Sequence, residues 1–298
     1  MMDTILAADI GGTKTLLQLS TMQGELIYEK EYVSQQFASF DLVLAEFLGQ
    51  DEIKEYQVSS ACFAVAGPVL DRDANVTNLP WTLNGDALES QFELKHVHLC
   101  NDFEAVAYGI PCLSNEDLFT LQEGKEDKLA PRAIIGAGTG LGQALLLPDG
   151  NKWKVVATEG GHTDFAPTNR LQTHLLEHLI ERFGHVSYER VVSGVGLVTI
   201  YEFLRAYQQH DENQALRQAM INDDPGAAIS QFAVDHNDPL AAEALELFIQ
   251  IYGAQAGNLA LTVSPKAGVY LAGGIAAKNL ERFKNGLFIQ AFNAQKVP

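Results

Sequence analysis

Thr4-Ile5-Leu6-Ala7-Ala8-Asp9-Ile10-Gly11-Gly12-Thr13-Lys14-Thr15-Leu16-Leu17-Gln18-Leu19 is the stretch on which the fold class turns. Thr4 to Ile10 is an apolar run that stops at two glycines, and Leu16, Leu17 and Leu19 then resume an extended pattern, so the spacing predicts strand, glycine turn, strand. Met22-Gln23-Gly24-Glu25 forms a second turn before a third strand, Leu26 to Tyr32. Later the same grammar returns: Arg132 to Ile135, then Gly136-Ala137-Gly138-Thr139-Gly140-Leu141-Gly142, then Ala144 to Leu147, the turn Pro148-Asp149-Gly150-Asn151, and Lys154 to Ala157. One device used twice predicts two related α/β halves facing each other.

Between the meanders, Ser60 to Val65 and His96 to Cys100 read as buried parallel strands, the second followed by a helical Phe103 to Tyr108. Asn101-Asp102 therefore falls at the C-terminal tip of a strand, the edge at which open α/β sheets bind ligands. Beyond residue 169 the period becomes helical. Leu171, Leu175, Leu176, Leu179 and Ile180 line one face up to a C-cap at Gly184, Leu197, Ile200, Tyr201 and Leu204 line another, and a third helix opens with Asp238 as N-cap and Pro239 at its first position. Gly268 to Ala272 is a strand whose tip, Gly273-Gly274, leads into a short helix, Ala276 to Phe283. Ile110-Pro111 and the polar stretch Ser114 to Lys128 set a boundary near residue 110, between a small domain (1–110) and a large one (111–298).

A length of 298 residues suits two such domains at roughly 100 to 200 residues each. With 47% hydrophobic and 19% charged residues the chain is that of a folded globular protein. A net charge of -18 would repel a phosphate-backbone partner, so nucleic acid is not an expected ligand, and an anionic substrate must be held by backbone N–H groups, a metal ion or a few placed cations. Three cysteines (Cys62, Cys100, Cys112) without a CxxC pair make neither a disulfide framework nor a four-ligand zinc site. The N-terminus has no basic segment before its short apolar run, and no stretch reaches about 18 uninterrupted apolar residues. A cytoplasmic protein with no membrane partner is expected.

Asp9 at a strand end beside Gly11-Gly12-Thr13 could face a bound Mg²⁺ through water while the turn brings its N–H groups to a phosphate; equally, the glycines could only supply positive φ to a hairpin turn. The second glycine run is not a dinucleotide fingerprint, because G-x-G-x-x-G begun at Gly136 meets Leu141 and begun at Gly138 meets Gln143, and GxxxxGK[ST] is absent. Asp102 is the candidate for the chemical step, a carboxylate able to accept a proton from a hydroxyl that attacks a phosphoryl group; its other reading is an N-cap of the helix that follows. Glu159-Gly160-Gly161-His162 sets a carboxylate and an imidazole within reach of adjacent sugar hydroxyls, or His162 is a loop bystander. Glu189 is another hydroxyl acceptor or a surface acid paired with an Arg. His174 and His178 share a helix face but lack the Glu of HExxH, and Trp81 reads as packing.

Taken in order, Asp9-Ile10-Gly11-Gly12-Thr13, Ala66-Gly67-Pro68, Asn101-Asp102-Phe103, Gly136 to Gly142, Glu159 to Phe165, Glu189-Arg190-Val191-Val192-Ser193-Gly194 and Leu271-Ala272-Gly273-Gly274-Ile275 resemble the bacterial glucokinase family, within the sugar kinase, Hsp70 and actin superfamily. The resemblance spans nearly the whole chain. It implies a two-domain, ribonuclease H-like α/β fold with an interdomain cleft, and ATP-dependent, Mg²⁺-assisted phosphorylation of the 6-hydroxyl of D-glucose. By resemblance, Asp102 is the general base, and Asn101, Glu159, His162 and Glu189 contact the sugar. Asp9, Gly11, Gly12 and Thr13 form the first phosphate loop, Gly138 and Thr139 the second, and Gly273-Gly274 the adenosine-side loop. A homodimer is implied as well.

Two rival readings stand beside this one: a kinase for another hexose or amino sugar, and a sugar or nucleotide sensor without turnover. Against a sensor, a pure binder has no need of a base at Asp102. The cysteines cannot supply the zinc motif of the related repressor branch, and no helix-turn-helix extension precedes the first strand. Relative to the family, the sequence stops at Lys296-Val297-Pro298 before a helix that returns to the first domain, which predicts uncovered apolar surface there.

Overall fold

The computed structural model describes residues 3–236 and 238–294, so Lys296-Val297-Pro298, on which the expectation of a missing helix rests, lies outside it. The chain divides between Gly109 and Ile110 into two compact units.

In the first unit the predicted meander is β1 (Asp3–Ile10), β2 (Lys14–Thr21) and β3 (Leu26–Val33), followed by α1 (Phe40–Leu48) and β4 (Gln57–Val65). Short strands β5 (Val69–Leu70), β6 (Asp73–Asn75) and β7 (Thr82–Asn84) form a small separate sheet, and α2 (Gly85–Phe92), β8 (Val97–Asn101) and α3 (Asp102–Gly109) complete the unit. The main sheet has the order β3-β2-β1-β4-β8, with β4 parallel to β1 and β8 parallel to β4. Alternation decides its faces: Leu6, Ile10, Leu17 and Leu19 are fully buried against Phe40, Phe47, Phe63 and Trp81. At roughly 1.5–3 kcal/mol for each large side chain buried, this face is the dominant source of the unit's stability. Trp81 is packing, as its sequence context indicated, and its Nε1 donates to Phe37 O at 3.2 Å. On the opposite face Ala7 is exposed and Ile5 and Leu16 are only partly buried.

The second unit repeats the device. β9 (Arg132–Ala137), β10 (Leu141–Asp149) and β11 (Lys152–Thr158) form an antiparallel meander, and β12 (Val269–Ala272) lies parallel beside β9 as β4 lies beside β1. Between β11 and β12 run α4 (Arg170–Phe183), α5 (Gly194–Gln208), α6 (Gln214–Asn222), α7 (Pro225–Asp235) and α8 (Pro239–Val263). After β12 come α9 (Gly274–Lys278), α10 (Leu280–Lys284) and α11 (Leu287–Asn293). The 25-residue α8 carries the core: Phe248, Ile251 and Tyr252 pack with Ile135, Leu197, Phe283 and Phe288. Asp238 caps it as expected, its carboxylate accepting the Ala241 N–H at 2.9 Å.

Two expectations are corrected. Ile180, assigned to the buried stripe of α4, is 49% exposed, because the stripe runs through Gln172, Leu175 and Leu179. Gln172 holds that buried place because its Oε1 accepts the Thr168 N–H at 2.8 Å and the Thr168 hydroxyl at 3.0 Å. The single helix expected over Ala276 to Phe283 is broken at the buried Asn279, which donates to Ile275 O and accepts the Ser230 hydroxyl at 2.7 Å. That side chain competes with the helix ladder and splits α9 from α10.

Candidate active site

Register gathers the candidate residues of the first unit. In the β1–β4 and β4–β8 ladders Ile10 pairs with Val65 and Val65 with Asn101, so the three strand tips form one row. The Gly11–Thr13 turn, the Ala66-Gly67 turn and Asp102 therefore leave the same edge of one sheet. Ala66 N–H donates to Ile10 O at 3.0 Å, and Asn101 Nδ2 donates to Gly67 O at 3.1 Å, which ties the row together beyond the strands.

The Gly11 turn is not built as a hairpin that needs left-handed glycines, since neither Gly11 nor Gly12 has a positive φ. Close approach is what requires them. A Cβ on Gly11 would stand 2.9 Å from Lys14 O, and one on Gly12 3.0 Å from Thr77 O. Gly11 N–H is spent closing the turn on Lys14 O at 3.0 Å, whereas the N–H groups of Gly12 and Thr13 have no partner among the described residues. Ser34, which sequence reasoning passed over, clamps the turn from below: buried, it donates its hydroxyl to Gly11 O at 2.8 Å and its N–H to Thr13 O at 3.0 Å.

Asp102 opens α3, but the capping role is shared with Asn101, whose Oδ1 accepts the Phe103 N–H at 2.9 Å while Asp102 Oδ1 accepts it at 2.8 Å. Partial removal from water raises the Asp102 pKa above the ordinary carboxylate value, opposed by hydrogen bonds from Phe103 N–H, Asn101 and its own N–H. Asp9 is raised too, first by the same loss of solvation and then by the Asp102 charge. Two carboxylates that both resist ionisation at one sheet edge suit proton acceptance and the neighbourhood of a cation.

The second unit gathers the other predicted residues. Gly138 N–H closes its turn on Gly140 O at 2.9 Å, and again the next two N–H groups, of Thr139 and Gly140, have no partner among the described residues. Glu189 accepts the Leu141 N–H on Oε2 at 2.9 Å, and a Cβ on Gly140 would stand 2.5 Å from that oxygen. Its expected alternative, an ion pair with an Arg, does not occur among the described residues: Arg190 lies over the Phe183 ring instead, 4.4 Å from its centroid. The other oxygen of Glu189 is 3.9 Å from His162 Nδ1, and His162 Nε2 is 3.8 Å from Glu159 Oε2. These separations are too long for direct hydrogen bonds and leave the three groups free for hydroxyls of a ligand. Side-chain exposure is 34% for Glu189 and 84% for Glu159, so Glu189 is the anchored member. Gly160-Gly161 is required by contact, since a Cβ on Gly161 would strike Leu141 O and one on Gly160 the Gln143 amide.

Gly273, at φ +82, leaves β12 against Ala137, where any Cβ would collide with the Ala137 backbone. Beneath it, the buried Tyr252 hydroxyl donates to Ile135 O at 3.1 Å and accepts the Ala137 N–H at 3.3 Å. No local signal in the sequence pointed to Tyr252, because its partners lie more than 100 residues away.

Among the described residues no group of three or more His, Cys, Asp or Glu could hold a metal by itself. Mg²⁺ keeps most of its waters and takes only one or two carboxylates, so Asp9 is the residue that could serve as protein contact to a Mg²⁺ carried on nucleotide phosphates. His174 and His178 instead stack near Tyr207 and Phe203, with His174 Nδ1 3.1 Å from Glu177.

A family model of glucokinases matches residues 6–297. The glucokinase of Trichormus variabilis is 46% identical over 98% of this chain and 90% of its own. Among solved structures, a glucokinase from an Antarctic psychrotroph superposes with a TM-score of 0.82 at 28% identity, covering 98% of this chain and 89% of that one. A ROK family glucokinase from Streptomyces griseus, solved with glucose and AMPPNP, shares the fold with a TM-score of 0.64 at 21% identity, over 99% of this chain and 90% of its own.

Proposed function

The chain belongs to the glucokinase family, and from that premise we propose which of its residues carry the transfer of a phosphoryl group from ATP to glucose. The two-domain sugar kinase fold and the activity, ATP-dependent phosphorylation of glucose, are those of the family. Asp102 is the general base that takes the proton of the 6-hydroxyl as its oxygen attacks the γ-phosphorus. Its raised pKa brings it closer to the operating pH than an ordinary carboxylate. Asn101 holds Asp102 in place through Gly67 and Phe103 and keeps one amide N–H for the sugar.

Glu159, His162 and Glu189 orient the hexose through its other hydroxyls, which supports a near-attack arrangement of the reacting oxygen. Backbone N–H groups of Gly12 and Thr13 in one turn, and of Thr139 and Gly140 in the other, receive the phosphates; Gly273-Gly274 borders the adenosine side. This distribution refines the expected loops, since Gly11 and Gly138 spend their own N–H groups on closing the turns. Asp9 would be the protein contact for a Mg²⁺ carried on the nucleotide, which when bound would supply the positive charge that a chain of net charge -18 does not. The enzyme is assigned to the cytoplasm and to a homodimer on the family resemblance; among the described residues no helix is long and apolar enough to cross a membrane.

The observation that carries the reading is the row Ile10, Val65, Asn101, which sets a carboxylate and a phosphate turn on one edge. Asp102→Asn tests it. Glucose affinity should stay within about tenfold while kcat falls by roughly 10²-fold or more; near-normal kcat would remove Asp102 from the role. Comparing kcat/KM over glucose, mannose, N-acetylmannosamine and fructose separates the glucose reading from that of another hexose kinase.

A further inference from the structure

Cys62 and Cys100 are thiols of the sheet that leads to Asp102, and neither has a part in the proposed transfer. Alternation puts Phe63, Val97 and Leu99 in the core, so Cys62 and Cys100 stand together on the opposite face. That is also the face of Asp9: Asp9 pairs with Ala64 and Ala64 with Cys100, one residue before the row of strand tips. The two sulfurs are 4.0 Å apart. Cys62 is partly exposed and Cys100 is buried, while the third cysteine, Cys112, is exposed and belongs to the second unit. One thiol open to solvent with another directly behind it is the arrangement of an attacking and a resolving cysteine. Hydrogen bonding with the Cys100 thiol holds Cys62 below the ordinary cysteine value, against partial burial and the Glu104 charge, which push it up.

Register also fixes what joining them would do. Cys62 pairs with His98 and Cys100 with Ala64, so the cysteines are diagonal neighbours offset by two residues. Diagonal Cα atoms lie roughly 7–8 Å apart, whereas a disulfide spans about 4.4–6.8 Å between Cα atoms. The sulfurs must close from 4.0 Å to about 2.05 Å, and side-chain rotation alone does not supply this when the Cα atoms are too far apart. One strand has to move. β4 is hydrogen-bonded on both sides, by β1 and β8, whereas β8 is an edge strand of five residues with only β4 beside it. The displacement therefore falls on β8, where Cys100 is followed directly by Asn101 and Asp102. Misplacing a reacting group by about 1 Å costs roughly 10²-fold in rate. A bond made against such a displacement is easily reduced, which suits a reversible mark rather than a structural staple.

We propose that Cys62 and Cys100 form a reversible modification site, at which hydrogen peroxide closes a disulfide that displaces Asp102 and slows phosphoryl transfer. The Cys62 thiolate attacks one peroxide oxygen and breaks the O–O bond, giving Cys62–SOH and a hydroxide that takes up the released thiol proton as water. The Cys100 sulfur then attacks the Cys62 sulfur, the S–O bond breaks, and the oxygen leaves as a second water with the Cys100 proton. Two thiols thus lose two electrons and one peroxide is reduced to water. A dithiol reverses the step by exchange. The bond itself stands apart from the assignment of Asp102, whereas its effect on turnover rests on that reading.

Treating the full chain with hydrogen peroxide, then alkylating it, tests the proposal by peptide mass spectrometry and by turnover of glucose and ATP. Wild type should lose two of its three alkylatable thiols and yield a bridged Cys62–Cys100 peptide lighter by two hydrogens. Its kcat should fall at least about tenfold, and dithiothreitol should restore both thiols and rate. Cys112→Ser should behave as wild type. Cys62→Ser, with Cys62→Ala beside it should the serine unsettle the sheet, should keep its turnover through the same treatment. Retention of all the thiols, a bridge to Cys112, a loss that dithiothreitol does not reverse, or an equal loss in both Cys62 variants overturns the inference. A bridged peptide with undiminished turnover overturns it as well. Asp102→Asn, assayed alongside, separates the two failures. Normal turnover there breaks the base assignment, whereas lost turnover there with a wild type that peroxide leaves unbridged or unslowed breaks only the present inference.

Discussion

Replacing Tyr252 by Phe removes one oxygen atom and exposes how the nucleotide-side turns are held. Tyr252 fills the place where β12 leaves β9, and its hydroxyl serves both Ile135 C=O and Ala137 N–H. The ring is fully buried, with the rings of Phe248, Phe283 and Phe288 centred 6.0, 5.9 and 5.6 Å away, so Phe should keep the packing. What is lost is satisfaction of two buried backbone groups. At about 1–3 kcal/mol for each of the two orphaned groups the cost is roughly 2–6 kcal/mol. A unit of this size loses about 2–4 °C of Tm per kcal/mol, which sets a fall of about 4–24 °C in thermal unfolding followed by circular dichroism. Because the orphaned groups bracket Gly136, just ahead of the Gly138 turn and against Gly273, KM for ATP should rise more than KM for glucose. A Tm within about 1 °C of wild type, far below the expected shift, together with an unchanged KM for ATP, would refute the claim that this hydroxyl holds the end of β9.

Gly140→Ala places a methyl against Glu189 Oε2 and should reproduce the effect of Glu189→Gln, a higher KM for glucose with the fold retained, read by parallel kinetics and melts of the two variants. Asp102→Asn should be at least as stable as wild type near neutral pH, even though its turnover should fall. A carboxyl whose pKa is raised on folding binds its proton more tightly in the native state, so the cost of ionising it is absent below the unfolded pKa and complete above the folded one. The advantage of the variant in Tm should therefore vanish as pH falls below about 3.8, and a variant less stable than wild type at neutral pH counts against a desolvated Asp102.

What could be read from the chain was local. The alternation of β1 and β2, the glycine turns at their ends and the Asp-Pro start of α8 are signals a few residues long, and each stands where the spacing placed it. Asp224-Pro225 carries the same start signal for α7, yet the helix it opens is alanine-rich and short, and its face is decided by packing on α5 and α8 rather than by its own pattern. The meaning of Gly11, Gly12 and Gly140 was illegible for a different reason. Glycine in a turn suggests positive φ, whereas here the partners that exclude a Cβ are Lys14 O, Thr77 O and Glu189 Oε2, two of them distant in sequence. Glu189 is the clearest case: its neighbour Arg190 suggested an ion pair, and only the fold brings it to Leu141 N–H and His162.

The two turns share more than glycine. In each, the first glycine closes the loop with its own N–H and the following two N–H groups are left without partners, although the flanking sequences, Ile10-Gly11-Gly12-Thr13 and Ala137-Gly138-Thr139-Gly140, differ. A protein so acidic does not readily gather a polyphosphate with surface cations, since Lys14, Lys30, Arg72, Arg182 and Arg205 are paired to its own carboxylates and Arg132 and Arg190 lie over aromatic rings. Orphaned backbone N–H groups avoid that conflict, because they attract an anion without adding a side chain that a neighbouring Asp or Glu would neutralise. Leaving them unpaired costs folding energy unless water or ligand reaches them, which explains why both turns sit at strand tips. It also explains why rigid supports, Ser34 under one and Tyr252 under the other, are buried directly beneath them.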